Sequence, residues 1–139
     1  MVCDACGFVF FMDPKVAVGT IVSLDGHIVL VRRAIEPGYG KWVFPGGFVD
    51  RGERVEDAAI RETREESCIQ VRISRLLNIY SYPDHPVIVI VYVGDVISGQ
   101  PTAGEETLEA RTFAPEQIPW AELAFPSTAQ ALRDYLAGL

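Results

Sequence analysis

Between Gly46 and Ile69 the chain sets a glycine-containing turn in front of a helix whose one face changes character along its length. Val55 to Ser67 holds no Gly or Pro, is rich in Glu, Arg and Ala, and carries Glu56 and Asp57 in its first turn, where acidic side chains complement the helix dipole. At ~100° per residue, Glu62, Glu65 and Glu66 fall within an arc of about 100°. Val55 shares that sector, and Ala58 and Ala59 bracket it. A stripe that begins apolar therefore ends in three carboxylates, which repel one another at these spacings. A hard divalent cation such as Mg2+ would neutralise them, because it prefers carboxylate and carbonyl oxygens. Gly46 and Gly47 would let a backbone carbonyl approach within ligand distance. The alternative is a solvated acidic helix held by the i,i+4 pairs Asp57–Arg61 and Arg61–Glu65.

The surrounding sequence reads as strands interrupted by this helix and closed by another. Val16 to Leu24 and His27 to Arg33 have strand character on either side of a hairpin turn at Asp25–Gly26. A Gly/Pro-rich loop from Glu36 to Gly52 contains a short extended piece at Trp42 to Phe44. Strand-like runs follow at Ile69 to Ile79 and Val87 to Val96. Ser98 to Glu106 reads as a polar loop, Arg111 to Phe113 as a short strand, and Pro126 to Leu136 as an amphipathic helix. No internal repeat is visible. The expected class is α/β or α+β, a mixed sheet with helices on its faces.

With 139 residues, 49% apolar and 22% charged, the chain suffices for one globular domain. No run approaches the ~20 apolar residues of a membrane span, and residues 1–7 lack the pattern of a signal peptide. A cytoplasmic protein without membrane partners is expected. The net charge of -7 opposes nucleic-acid binding, and the 12 basic residues are scattered, with Arg32–Arg33 the densest pair. An acidic protein can still handle an anionic substrate when a divalent cation lies between them. Three cysteines, an odd number, argue against a disulfide framework. Cys68 reads as a small buried apolar residue.

The spacing Gly47, five residues, Glu53, seven residues, Arg61-Glu62-Thr63-Arg64-Glu65-Glu66-Ser67-Cys68-Ile69 resembles the Nudix box, G-x5-E-x7-R-E-U-x-E-E-x-G-U, where U is aliphatic. Chance agreement at its strongly specified positions is on the order of 1 in 10 million. Thr63 replaces an aliphatic residue, and its methyl can still pack. Cys68 replaces the glycine that ends the helix, which would cost roughly 1 kcal/mol if a left-handed conformation is required there. Further along the chain, Cys3-x-x-Cys6-Gly7, Asp13-Pro14-Lys15, Gly40-Lys41-Trp42-x-Phe44-Pro45-Gly46-Gly47 and Leu123-Ala124-Phe125 are similar to a Nudix branch with an N-terminal zinc ribbon. That branch includes pyrophosphatases acting on FAD, ADP-ribose and NADH.

The resemblance implies a mixed sheet sandwiched between helices, with residues 15–139 as the Nudix domain. Residues 1–14 would be a short head holding half a zinc ribbon. Cys3 and Cys6 supply two thiolates where a closed zinc site needs four ligands, so zinc is not expected. The resemblance further implies hydrolysis of a phosphoanhydride by water attacking phosphorus. Glu62, Glu65 and Glu66, with the Gly46 carbonyl, would hold Mg2+, Mn2+ being the alternative ion. Arg61 would pair with Glu53 and fix the loop against the helix. The general base would be Glu62, or Glu106 in the mobile-looking Gly104-Glu105-Glu106 loop, with Glu105 and Glu109 as substitutes.

Arg33 ends a strand beside the glycine-rich loop, where it would contact a phosphate or remain a surface charge. Tyr39, Trp42, Tyr80 and Phe125 would stack on a base or flavin ring, or pack in the core. The partner is then a small nucleotide rather than nucleic acid, and a homodimer is open because dimers are frequent in the family. A nucleotide-sensing module without catalysis is the main rival. It is disfavoured by the intact Glu53, Glu62, Glu65 and Glu66. A zinc-ribbon nucleic-acid binder is disfavoured by charge and by the half ribbon.

Overall fold

The computed structural model describes residues 2–9 and 13–138. Met1, residues 10–12 of the expected head and Leu139 of the expected domain lie outside the described residues. The strands are β1 (Lys15–Leu24), β2 (His27–Arg33), β3 (Trp42–Val43), β4 (Gly46–Phe48), β5 (Gln70–Tyr80), β6 (Val87–Ser98) and β7 (Thr107–Phe113). Helix α1 is Val55–Ser67 and α2 is Pro126–Leu136, with short 3-10 turns at Pro115–Gln117 and Trp120–Glu122. The strands form one mixed sheet ordered β3-β2-β1-β6-β5, with β4 also pairing β1 and β7 pairing β2. β1 and β6 run parallel, and the other pairs are antiparallel.

Strand alternation sorts the apolar residues onto two faces. Val18 and Val22 of β1, Val29 of β2 and Tyr92 of β6 pack on the face that carries α1, where Ala58 and Ala59 are fully buried. Their neighbours Ile21, Ile28, Leu30 and Val91 belong to the opposite face, with Ala131 and Leu132 of α2. The sheet is therefore sandwiched between helices, as expected, and α1 seats its alanines directly on β1. No helix among the described residues is long and apolar enough to cross a membrane.

Three departures from the sequence reading have local causes. β4 was read as loop because Gly-Gly has little strand propensity. A side chain at Gly46 would collide with the Val18 carbonyl, so only glycine lets this segment pair with β1. β7 begins at Thr107, earlier than the Arg111 start expected, because Arg33 to Ile28 of β2 provides a pairing edge. Cys68 is exposed and stands at φ 61, ψ 25, the left-handed cap of α1, rather than being buried. Its N–H still closes the helix on the Arg64 carbonyl at 3.0 Å. In the head, Val2 and Val9 form an antiparallel bridge, and the Gly7 N–H donates to the Cys3 carbonyl at 2.8 Å. Thr63, the other departure from the box pattern, is fully buried, with its hydroxyl donating to the Ala59 carbonyl at 2.7 Å.

A non-glycine residue in the left-handed region costs about 1 kcal/mol, so Cys68→Gly should stabilise the protein by roughly 0.5–1 kcal/mol in urea unfolding. An unchanged or lowered midpoint would show that the cap carries no strain.

Candidate active site

The site is organised by the half-buried Arg61 of α1, which faces the loop that follows β4. Its Nε donates to Glu53 Oε2 at 2.8 Å and its Nη2 to Glu53 Oε1 at 3.0 Å, a two-pronged pairing. Nη2 also donates to the Phe48 carbonyl at 3.2 Å. Nη1 donates to Glu62 Oε1 at 2.8 Å and to Glu65 Oε2 at 3.2 Å. A guanidinium has five N–H donors, and all five are engaged. The i,i+4 partner Glu65 is held, whereas Asp57 is not among the partners of Arg61.

Glu53 is fixed from both ends of its loop: its carboxylate accepts the Asp50 N–H at 3.1 Å, and its own N–H donates to the Asp50 carbonyl at 3.0 Å. The hydrogen bond from Arg61, helped by the Asp50 amide, holds the Glu53 carboxyl down at about 2. Arg61 is reciprocally raised, first by Glu53.

The glycine pair presses against the other carboxylates. The Gly46 N–H donates to Glu66 Oε1 at 2.7 Å, and a Cβ added at Gly47 would lie 2.5 Å from the Glu62 carboxyl. Burial pushes the Glu62 carboxyl up against the pull of Arg61, with Glu65 and Glu106 adding repulsion. Burial also pushes Glu66 up, to about 8, although the Gly46 amide and Arg33 oppose the shift.

The loop after β6 completes the cluster by capping the end of α1. Thr102, Gly104 and Glu105 donate N–H groups to the carbonyls of Ser67, Glu66 and Glu65, at 3.0, 3.2 and 2.8 Å. The Thr107 hydroxyl also donates to the Glu66 carbonyl, at 3.1 Å. The loop that looked mobile in sequence is thus pinned by backbone hydrogen bonds. It brings Glu106 close enough to repel both Glu62 and Glu66. Glu109 lies apart, paired with Arg32 at 3.3 Å.

Beside the glycine pair a groove of about 600 Å³ opens, lined by Gly46, Gly47, Phe48, Arg33, Phe125 and the turn Tyr82–Pro86 among others. The Arg33 guanidinium stands 5.0 Å from the Phe125 ring centroid, and its Nε donates to the Pro37 carbonyl at 2.7 Å. Of the four rings singled out in sequence, only Phe125 lines the groove. Trp42 is 6% exposed and meets Phe113 edge-on at 5.0 Å, and Tyr80 is 3% exposed with its hydroxyl donating to Asp134 at 2.6 Å. Tyr39 is exposed outside the groove, its N–H bonded to Glu36. Phe48, Tyr82 and His85 were not anticipated. Phe48 directly follows the glycine pair, and a Tyr-Pro-Asp turn between two strands was the available signal for the others.

Glu62, Glu65, Glu66 and the Gly46 backbone supply hard oxygen donors of the kind Mg2+ takes. The close seating of Gly47 on Glu62 leaves that carboxylate no room for a larger residue, and the carboxylates outnumber the guanidinium that pairs them. By donor chemistry the residues fit a divalent cation. Among the described residues, no three acidic, His or Cys side chains already converge on one point at metal distance, because Arg61 and the Gly46 amide hold these carboxylates.

The Glu53–Arg61 pair should give a specific pH signature. A carboxyl lowered on folding stabilises fully above its ordinary value of 4.5, and the contribution is lost as pH falls through about 2. The stability gap between the protein and Glu53→Gln in urea unfolding should therefore shrink as pH falls below about 4. A gap that does not vary with pH would remove the ion pair as its cause.

Residues 13–135 match the family model described as the NUDIX domain. The ADP-ribose pyrophosphatase of Methanocaldococcus jannaschii is 38% identical over 130 residues, 91% of this chain and 75% of that protein. A Bacillus subtilis protein named putative 8-oxo-dGTP diphosphatase is 31% identical over 119 residues, covering 85% of this chain and 76% of its own. The crystal structure of a Nudix hydrolase from Nitrosomonas europaea matches with a TM-score of 0.91 at 33% identity, covering 98% of this chain and 77% of that one. The Arg61-centred cluster, the sandwiched sheet and these likenesses agree: the chain belongs to the Nudix hydrolase family.

Proposed function

We propose that the protein hydrolyses the phosphoanhydride of a nucleoside diphosphate joined to a further group, with Mg2+ as cofactor and ADP-ribose as the first substrate. The observation that carries the reading is the double role of the glycine pair. Gly46 binds Glu66, Gly47 lies against Glu62, and both line the groove, so a substrate bound there would have the glycine pair between it and these carboxylates. The likeness to an archaeal ADP-ribose pyrophosphatase favours ADP-ribose. FAD is the other substrate favoured by the resemblance to the zinc-ribbon branch.

In the reaction, a water oxygen forms a bond to phosphorus and the bridging P–O bond breaks, giving AMP and ribose 5-phosphate. Glu62, Glu65, Glu66 and the Gly46 carbonyl would hold Mg2+, which when bound screens the diphosphate and polarises its oxygens. Arg61 fixes the orientation of Glu62 and Glu65 before substrate arrives, and with Glu53 ties the loop to the helix. Arg33, at the groove wall with no carboxylate within salt-bridge range among the described residues, would neutralise a phosphate. Glu62 is the first candidate for accepting the water's proton, since burial raises its affinity for one. Glu106, across the same cluster, is the alternative.

A nucleoside triphosphate substrate is the second reading, motivated by the 31% identical Bacillus protein named for 8-oxo-dGTP. Incubation with Mg2+ and ADP-ribose, FAD, NADH or nucleoside triphosphates, followed by chromatography, separates the readings. AMP released from ADP-ribose and abolished by EDTA is the expected result. Turnover of triphosphates alone would overturn the substrate, and binding without turnover would point to a nucleotide-sensing module. Glu66→Gln should lower kcat by at least ~10²-fold, because it removes a charged ligand from the cation that stabilises the transition state. Near-normal turnover in that variant would exclude Glu66 as a ligand.

A further inference from the structure

The groove lining combines two kinds of chemistry. At the glycine pair stand Arg33 and the backbone of Gly46–Gly47, suited to phosphate. Away from the glycine pair the lining includes the turn joining β5 to β6, Tyr82-Pro83-Asp84-His85-Pro86, and Phe48 directly follows Gly47 on the groove wall. These residues supply mostly rings: the aromatic faces of Phe48 and Tyr82 and the pyrrolidines of Pro83 and Pro86. Within the turn the acidic residue is Asp84, which disfavours a second anionic group there.

The turn is held in place. The Tyr82 hydroxyl donates to Gln130 Oε1 on α2 at 2.6 Å, and the His85 N–H donates to the Tyr82 carbonyl at 3.2 Å. Asp84 takes the left-handed conformation, φ 61, that the tight reversal requires. The Val87 N–H donates to His85 Nδ1 at 3.3 Å. With Nδ1 accepting, the ring N–H is the one on Nε2, and His85 lines the groove. Phe48 is 51% exposed, and the Lys15 ammonium, which does not line the groove, stands 5.1 Å from its ring centroid. The ring is thus half open on the groove wall and can offer a face to a flat ligand.

We propose that Phe48 and the Tyr82–Pro86 turn form the nucleobase subsite, in which the base stacks on the Phe48 ring and His85 Nε2–H donates to a ring nitrogen of the base. The occupant is a neutral, flat heterocycle, adenine for the substrate proposed above. It places the base at the turn and the phosphates at Arg33. The assignment makes His85 and Phe48 specificity residues rather than catalytic ones, and it rests on the nucleotide-hydrolase reading.

Calorimetric titration with AMP and, separately, with ribose 5-phosphate tests it without relying on turnover. His85→Leu and Phe48→Ala should each weaken AMP binding by about five- to tenfold, the range of one lost hydrogen bond or stacking contact. Both should leave ribose 5-phosphate binding unchanged. His85→Gln, which restores an N–H donor, should recover part of the loss. In hydrolysis of ADP-ribose the effect should appear in KM rather than kcat. Unchanged AMP affinity in both variants, or equal weakening of ribose 5-phosphate, would overturn the subsite. If the unaltered protein cleaves ADP-ribose while the variants bind AMP normally, the subsite alone fails. If it neither cleaves ADP-ribose nor binds AMP, the nucleotide reading and the subsite fail together.

Discussion

The site depends on one guanidinium whose every N–H is used. Arg61 joins Glu53 at the far end of the loop, the Phe48 carbonyl beside the glycine pair, and Glu62 and Glu65 on its own helix. A lysine has three donors on a flexible stem and could not span these partners at once. The same contacts that tie the loop to α1 set the carboxylates before any ligand arrives. Glu53, which is absent from the lining of the groove beside the glycine pair, acts on the cluster through Arg61.

Close approach is the second constraint, and it is met by glycine wherever backbone meets backbone or carboxylate. Gly46 lets β4 lie on β1, Gly47 leaves space for Glu62, and Gly104 lets the loop after β6 cap α1 on the Glu65 carbonyl. These contacts draw three segments, β4, α1 and the capping loop, around the carboxylates. The raised Glu62 and Glu66 carboxyls follow from this enclosure, since burial disfavours their charge and Glu106 adds repulsion. Binding a cation there would reverse the balance, because a nearby positive charge favours the ionised form. Under the proposed function, Mg2+ would supply that charge to Glu62 and Glu66.

Helix α1 and its carboxylate stripe were legible because helical periodicity and the spacing from Gly47 to Glu66 are local properties of the chain. The pairing of Arg61 with Glu53 followed from the family pattern and is seen at 2.8 Å. The hairpin, both helices and the later strands were legible from apolar alternation and breakers. β4 was not, because its pairing depends on what glycine omits rather than on what it presents. The rings were harder still. Trp42 and Tyr80 carry the same stacking chemistry as Phe125 and Phe48, yet the sheet turns the first two into the core and leaves the others at the groove. Only the three-dimensional packing separates them. Cys68 shows the converse case, in which a missing glycine marked the left-handed cap correctly while the expected burial of its thiol did not occur.

Central to the proposed function is a divalent-cation site formed by Glu62 and Glu65, oriented by Arg61, and Glu66, held by the Gly46 amide. Titration of Mn2+ followed by electron paramagnetic resonance measures that site without substrate. Glu66→Gln should weaken Mn2+ binding by at least about tenfold. Glu109→Gln, whose carboxylate is paired with Arg32 outside the cluster, should leave it unchanged. Mn2+ bound equally well by the protein and by Glu66→Gln would contradict the assignment of the cation to this helix face.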